Sequence, residues 1–393
     1  MTDATSTKPP LTGLVLTGGG ARAAYQVGAI RALSEIFPQK QPPFRVLCGT
    51  SAGAINIAYL ASHSEDWIAA ATGLYGLWEK LGLNHVYRTD SASLSKIALA
   101  WLSRSILGGR AGTRKSANFL LSTEPLRELI SREVRFEAIR ENVSRGHLHG
   151  VSFSSVQYFA GTTVSFFEAA KSVEPWIRSN RVGLRASLDV SHVMASAAIP
   201  IFFPPVEINE EYYGDGCLRQ TTPLSPAIHL GAERLISIGI RHERRKSDIR
   251  SAMLLPQRHA PSLAEITGEL MNSLFLDSLE TDVERLQSVN DSLELMTPEM
   301  RERQPYKFRK LPILQLRPSR NLGELVPDLL ARFPLILRYL LKGIGASKLE
   351  GRELISYLAF MDDCIQPLLE LGYKDTLARR HEIIAFLDSG ESG

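Results

Sequence analysis

Three short stretches of the sequence carry residue types that together could perform acyl transfer. The first is GTSAG at residues 49–53, in which Ser51 lies between Gly49 and Gly53. A G-x-S-x-G between a strand and a helix is a nucleophile elbow: small neighbours tolerate a strained serine, and its hydroxyl projects at the helix N-terminus. Negative charge developing near Ser51 would be favoured there. The motif predicts a nucleophilic serine; the alternative is an ordinary strand-to-helix connection of small residues.

The second stretch is a glycine-rich loop that follows an apolar run at residues 11–16 and precedes a predicted helix over 24–37. Its residues are Gly18, Gly19, Gly20, Ala21 and Arg22. Glycines in this position let backbone N–H groups converge on an anion. A dinucleotide site would need an acidic residue about 20 positions later, at the end of the next strand, but that strand ends at Ser51 without a carboxylate, and the Gly-Lys-Ser/Thr of a P-loop is missing. We therefore interpret the loop as an oxyanion hole for Ser51.

The third stretch is Asp215, which lies between Gly214 and Gly216. An aspartate in this setting is most often a turn residue. Here it follows a proline-rich block at 196–205 and a predicted hairpin over 206–213, in a chain that also offers a nucleophile and an anion-binding loop. These neighbours favour Asp215 as a site residue.

Together these motifs resemble those of the patatin-like phospholipases, in particular the bacterial members. The glycine loop, the elbow, the block at 196–205 and Asp215 occur in the family's order, and the resemblance extends over residues 11–290. It implies Ser51 as nucleophile, Asp215 as its base, no catalytic histidine, and lipid acyl esters as substrates. Ala23 and Cys217 stand where the family usually has glycine, and glycine or alanine, and both replacements are small. No metal or organic cofactor is expected.

For the role of Arg22 two interpretations stay open. Its guanidinium could fix the glycine loop or add positive potential, or it could be a surface arginine that bonds local carbonyl groups.

The elements that position these residues predict a three-layer α/β/α patatin-like core with a mostly parallel sheet, followed by C-terminal helices. Residues 151–160 and 162–167 read as paired strands, 189–198 as a short helix and 234–240 as a buried strand. From Ser262 onward the chain is predicted to be helical, with a capping box at Ser262 and Glu265. Further helices are predicted at 325–341, 352–371 and 376–387. The predicted units are a disordered lead (1–10), an acyl hydrolase domain (11–290) with a lid-like insertion (84–123), and a helical extension (291–393).

The composition limits the function classes. With 45 Lys plus Arg against 42 Asp plus Glu, the 393-residue chain lacks the charge excess of a nucleic-acid-binding protein. Its three cysteines form no C-x-x-C pair, so neither a disulfide framework nor a cysteine zinc site is indicated. No stretch reaches about 18 uncharged apolar residues, and we expect a cytoplasmic protein.

Two amphipathic segments are candidates for contact with the inner face of a membrane. One is residues 94–102, followed by Arg110, Arg114 and Lys115; the other is residues 325–342. Either could pack on the domain or dock on an anionic lipid surface.

The sequence therefore predicts a serine acyl hydrolase of the phospholipase A or lysophospholipase type. Two alternatives remain at this stage. A Ser-His-Asp carboxylesterase would take its histidine from the set His229, His242, His259 and His381. A catalytically silent lipid- or protein-binding module would keep the fold without the reaction.

Overall fold

The computed structural model describes residues 10–90, 119–242, 250, 260–303, 308–325, 330–343 and 352–388. Within these residues ten strands form one mixed sheet. The strands are β1 (Thr12–Leu16), β2 (Val46–Thr50), β3 (Gly150–Gln157), β4 (Thr162–Ala169), β5 (Trp176–Arg178), β6 (Arg181–Arg185), β7 (Val206–Ile208), β8 (Glu211–Asp215), β9 (Arg234–Ile238) and β10 (Ile313–Leu316).

The strand order is β10-β9-β1-β2-β3-β4-β6-β5, with neighbours from β10 to β3 all parallel. Strand β4 pairs antiparallel with β3, as the sequence predicts for these two segments. The predicted hairpin is β7 and β8, and β8 also pairs antiparallel with the last residues of β3, so that Asp215 lies opposite Ser155. Strand β3 extends beyond the end of β2, and β8 pairs with this extension. Asp215 therefore lies close to the end of β2.

Helices cover both faces of the sheet. The described helices are α1 (Ala24–Ile36), α2 (Ala52–Ser62), α3 (Trp67–Glu79), α4 (Leu83–Val86), α5 (Glu124–Glu133), α6 (Phe136–Ser144), α7 (Val190–Ser196), α8 (Ser225–His229), α9 (Leu263–Asn272), α10 (Ser278–Leu295), α11 (Pro298–Glu302), α12 (Leu335–Gly343), α13 (Arg352–Leu358), α14 (Asp362–Ala378) and α15 (Arg380–Asp388). Along β1, Leu14 and Leu16 pack with α1, α2 and α3, whereas Val15 packs with α8 and α10. The alternation of β1 side chains thus builds two cores, and the predicted three-layer α/β/α fold is confirmed.

The C-terminal part of the chain departs from the all-helical prediction. Residues 313–316 form β10, which pairs parallel with β9 and extends the sheet. Apolar residues there are too few to show a period, so a strand of this length is hard to read from sequence. Helices α14 and α1 cross with their backbones in contact. A Cβ on Gly372 would lie 2.0 Å from Tyr25 O, and one on Gly28 would lie 2.0 Å from Leu369 O, so both positions require glycine. Strand β10 and helix α14 therefore pack on the elements of the predicted acyl hydrolase domain.

The predicted helix boundaries need correction in the same region. The segment 325–341 contains a 3₁₀ turn, Leu330–Arg332, and then α12, with the break at Pro334. The segment 352–371 contains α13 and the start of α14, separated at residues 359–361. On α12, Leu337 and Leu341 are buried, so this helix packs on the domain with one face.

Several predictions lie outside the described residues: the amphipathic segment 94–102, the basic stretch that follows it, most of the insertion 84–123, and nearly all of the lead 1–10. Among the helices that the structure does describe, none combines the length and the apolar character needed to cross a lipid bilayer.

Candidate active site

Ser51 occupies a strained turn between β2 and α2. Its backbone has φ 55° and ψ −129°, a conformation that side-chain-bearing residues rarely adopt. The flanking glycines make this turn possible, because a Cβ on Gly53 would lie 2.4 Å from Leu16 O and one on Gly49 would lie 2.6 Å from Ala54 Cα. The local geometry is that of a nucleophile elbow, with the serine at the N-terminus of α2.

The side chains of Ser51 and Asp215 meet directly. Ser51 Oγ donates a hydrogen bond of 2.5 Å to Asp215 Oδ2, and the other carboxylate oxygen accepts from the Cys217 N–H at 2.9 Å. Asp215 is fully buried. Burial disfavours the charged carboxylate and raises the pKa of Asp215 to about 6, although the hydrogen bond from Ser51 and the bonds from Cys217 act in the opposite direction. The carboxylate is therefore a stronger base than one in water.

A second serine, Ser196, supports the elbow from α7. The Ser51 N–H donates to Ser196 Oγ at 3.0 Å, and the Ser196 hydroxyl donates to Ser154 O at 2.6 Å. Ser196 is fully buried and ties the elbow to β3. Sequence reasoning included it only as part of the block at 196–205, because a serine that bonds the backbone of a distant strand carries no local signal.

The glycine loop lies against the elbow. A Cβ on Gly18 would lie 2.6 Å from both Ser51 Cβ and Cys217 Sγ, so the loop's backbone is in contact with Ser51. Gly20 has φ 54° and begins a 3₁₀ turn over Gly20–Ala23 that leads into α1. Gly20 and Ser51 line the same cavity, which places backbone of the predicted oxyanion loop beside the hydroxyl.

The Arg22 side chain points away from the cavity and into the C-terminal part of the fold. It is 1% exposed, so the alternative of a surface arginine is wrong. Its guanidinium forms an ion pair with Glu353 and donates to Ser356 Oγ. Arg22 thus fixes the loop through its side chain.

An apolar cavity opens at Ser51. It is bounded by α2, α3, α5, the segment after α7 and the connection between α13 and α14. The lining residues are Gly20, Ser51, Ala52, Ile55, Leu77, Trp78, Leu81, Val86, Leu126, Leu129, Ala197, Ile199, Phe203 and Phe360. Apart from the Ser51 hydroxyl the walls are hydrocarbon, so the cavity favours an apolar group over a polar one.

Among the described histidines considered for a triad, His229 and His242 contact other residues and His381 is exposed. The His229 ring stacks on Trp176 with 4.7 Å between centroids, and burial, followed by Arg178 and Arg181, lowers the pKa of His229 to about 4. His242 Nδ1 lies 3.0 Å from Pro318 O, and His381 belongs to α15. His259 lies outside the described residues.

Comparison with known proteins agrees with this geometry. A family model described as patatin-like phospholipase matches residues 14–228, which is more than half of the chain. This chain belongs to the patatin-like phospholipase family. The matched region of this patatin-like protein contains the glycine loop, the elbow and the Asp215 loop, but ends before α9. The predicted family is confirmed.

The solved structures to which the chain is similar are distant in sequence. VipD from Legionella pneumophila is 14% identical with a TM-score of 0.32, over 97% of this chain and 67% of that one. Human GIVD cytosolic phospholipase A2 is 12% identical with a TM-score of 0.47, over 97% and 60%. ExoU in its complex with SpcU from Pseudomonas aeruginosa is 16% identical with a TM-score of 0.28, over 98% and 78%. No curated protein matches the chain by sequence.

Proposed function

We propose that this patatin-like protein is a serine acyl hydrolase that cleaves acyl esters of phospholipids or lysophospholipids. The observation that carries the proposal is the direct 2.5 Å hydrogen bond from Ser51 Oγ to Asp215 Oδ2 at the wall of an apolar cavity. A nucleophile, a base of raised pKa and an anion-binding loop then occupy one site, which is the minimum set for acyl transfer.

In the first half-reaction, Ser51 Oγ attacks the ester carbonyl as its proton passes to Asp215 Oδ2. The carbonyl oxygen becomes an oxyanion, which backbone N–H groups between Gly18 and Ala21 stabilise, each well-placed donor contributing about 3 kcal/mol. When the tetrahedral intermediate collapses, the C–O bond to the leaving alcohol breaks and protonated Asp215 returns the proton to that oxygen. The product is an acyl ester on Ser51 and a free lipid alcohol.

In the second half-reaction, water takes the place of the alcohol. Asp215 accepts a proton from the water as its oxygen attacks the Ser51 ester, and the same loop stabilises the second oxyanion. Collapse breaks the bond between the acyl carbon and Ser51 Oγ, and Asp215 returns the proton to that oxygen. The enzyme is restored and a fatty acid leaves.

The cavity indicates the substrate class. Each methylene of an acyl chain that leaves water for this apolar cavity gains about 0.8 kcal/mol. The polar part of the lipid would stay outside, which agrees with a phospholipid or lysophospholipid at a membrane or micelle surface. We also place the protein in the reducing cytoplasm, where the free thiols of Cys48, Cys217 and Cys364 would stay reduced.

Hydrolysis of defined lipids tests the proposal. The full chain is incubated with vesicles of phosphatidylcholine and phosphatidylglycerol and with micelles of lysophosphatidylcholine, and released fatty acid is measured by mass spectrometry. We expect fatty acid from at least one lipid class and none from Ser51→Ala, whose far-UV spectrum should match the wild type. Equal release by wild type and Ser51→Ala would reject the site, and release by neither would favour the silent binding module.

A further inference from the structure

The guanidinium of Arg22 is held almost entirely by α13, a helix 330 residues away in the sequence. Nε and Nη2 donate to Ser356 Oγ at 2.8 and 2.6 Å, and Nη1 donates to Tyr357 OH at 3.3 Å. Nη2 also forms an ion pair with the Glu353 carboxylate and donates to the Glu353 carbonyl at 3.3 Å. The guanidinium carbon lies 4.2 Å from the centroid of the Tyr357 ring. Outside α13, Asn272 Oδ1 accepts from Nη1 at 3.5 Å.

This arrangement fixes the position of the glycine loop. A buried guanidinium costs several kcal/mol unless its N–H groups are paired in good geometry, and its planar fork allows few alternative placements. Arg22 is two residues from Gly20, and a Cβ on Gly20 would lie 2.1 Å from Tyr357 O. The backbone of the loop therefore contacts α13 at Gly20, and the Arg22 side chain binds the same helix.

The other end of the loop is supported from the same side. Phe275 packs on the Tyr357 ring with 5.1 Å between centroids, and its Cδ1 would lie 2.9 Å from a Cβ on Gly18. Helix α13 is itself anchored, since Tyr87 OH donates to Leu358 O at 2.9 Å. None of α13 lies within the residues that the family model matches.

We infer that Glu353, Ser356 and Tyr357 are positioning residues for acyl transfer, which act through Arg22 to hold the oxyanion loop at the distance from Ser51 that the reaction requires. The inference rests on the proposed function. It adds that α13, in the C-terminal part of the chain, contributes to catalysis, and that Arg22 connects this helix to the glycine loop.

The size of the effect follows from the sensitivity of oxyanion stabilisation to geometry. Displacement of a reacting group by about 1 Å can cost about 100-fold in rate, and complete loss of one donor costs about 100- to 1,000-fold. Partial release of Arg22 should lower kcat by about 10- to 100-fold on this scale. The KM should change by less than about threefold, because the loop acts on the transition state more than on bound substrate.

Three variants release Arg22 to different degrees. Ser356→Ala removes the acceptor of two short hydrogen bonds from Arg22, and Glu353→Gln removes the charge of its ion-pair partner. Tyr357→Phe removes one long bond from Arg22 together with the 3.0 Å bond from Tyr357 OH to Asn272 Oδ1. The matched control is Glu168→Gln, which breaks the ion pair of Arg140 with a buried carboxylate on β4, away from the loop. Active sites are titrated with a fluorophosphonate, so that kcat refers to folded, reactive protein only. A trifluoromethyl ketone, which forms an anionic tetrahedral adduct with Ser51, reports on the oxyanion loop itself.

We expect kcat per titrated site to fall in Ser356→Ala and Glu353→Gln, and least in Tyr357→Phe. The inhibition constant of the ketone should rise by the same factor as kcat falls, while Glu168→Gln keeps both values. If the three variants lower only the unfolding temperature and retain wild-type kcat and ketone inhibition, α13 is merely structural and the inference is overturned while the proposed function stands. If the wild type shows no Ser51-dependent hydrolysis or labelling, both are overturned.

Discussion

Two regions build the candidate site, and they differ in how the sequence encodes them. The strand–turn–helix units around Gly18 and Ser51 carry their chemistry in runs of about five residues, and the serine with φ 55° depends on glycines two positions before and after it. Helix α13 carries no motif, and its contacts with Arg22 join side chains 334 residues apart in sequence. Short motifs thus define what the site can do, whereas distant packing defines where its parts are held. The predictions below separate these two contributions.

The largest expected effect tests the motif-encoded region. Asp215→Asn should lower kcat by about 1,000-fold or more, because asparagine cannot accept the serine proton. His229→Ala should keep kcat within about threefold, since His229 stacks on Trp176 and is not in the dyad, and should cost about 1 kcal/mol of stability through the lost ring contact. Steady-state kinetics on both variants checks this. A collapse of kcat in correctly folded His229→Ala would establish a triad in place of the dyad.

An intermediate effect tests the packing-encoded region. Gly372→Ala should destabilise the protein by about 2–3 kcal/mol, because the new methyl group would overlap Tyr25 O where α14 crosses α1. The control is Gly76→Ala on α3, where a Cβ meets no atom within 4 Å and alanine should stabilise the helix by up to about 1 kcal/mol. Urea unfolding followed by circular dichroism measures both. Equal stability of Gly372→Ala and wild type would show that the helix crossing can relax, and would weaken the role given to distant packing.

The smallest effect concerns pH. The proposed mechanism requires ionised Asp215, whose pKa is raised to about 6, so kcat/KM should rise with pH through a value near 6 and then level off. The pKa of Asp215 is about 6 in the folded protein and 3.8 in the unfolded chain, so its contribution to stability is fully present below pH 3.8 and is lost as pH rises through 6. Asparagine does not titrate, so the stability of Asp215→Asn relative to wild type should increase as pH rises from 4 to 7. Melting temperatures at these pH values check the sign.

Cys217 refines the same measurement. Its side chain hydrogen-bonds to Asp215 and lowers the pKa of that carboxyl, against the larger effect of burial. Cys217→Ala should shift the rising limb of the kcat/KM profile to higher pH, with little change on the plateau. A shift to lower pH would show that the thiol does not stabilise the carboxylate.

The sequence predicts the features that short motifs encode and not those that depend on distant packing. Ser51 and the glycine loop are brought together as their motifs indicate, because each follows a strand and the parallel strands β1 and β2 end on the same side of the sheet. Asp215 reaches them on the antiparallel strand β8, which pairs with the end of β3. Strand β10 was not predicted, since four residues at a sheet edge show no periodicity. The roles of Ser196, Glu353 and Phe360 were not predicted either, because burial and long-range hydrogen bonds depend on the assembled fold. The sequence alone does not decide the role of Arg22 for the same reason, since its partners on α13 are distant in sequence.

The proposed function depends on Ser51 acting as a nucleophile that Asp215 activates. Its most direct test is the reaction of the full chain with a fluorophosphonate, followed by digestion and mass spectrometry of the modified peptide. We expect one adduct, on Ser51, that is absent in Ser51→Ala and forms at least about 100-fold more slowly in Asp215→Asn. Modification of another serine that persists in Ser51→Ala, or an unchanged rate in Asp215→Asn, would contradict it.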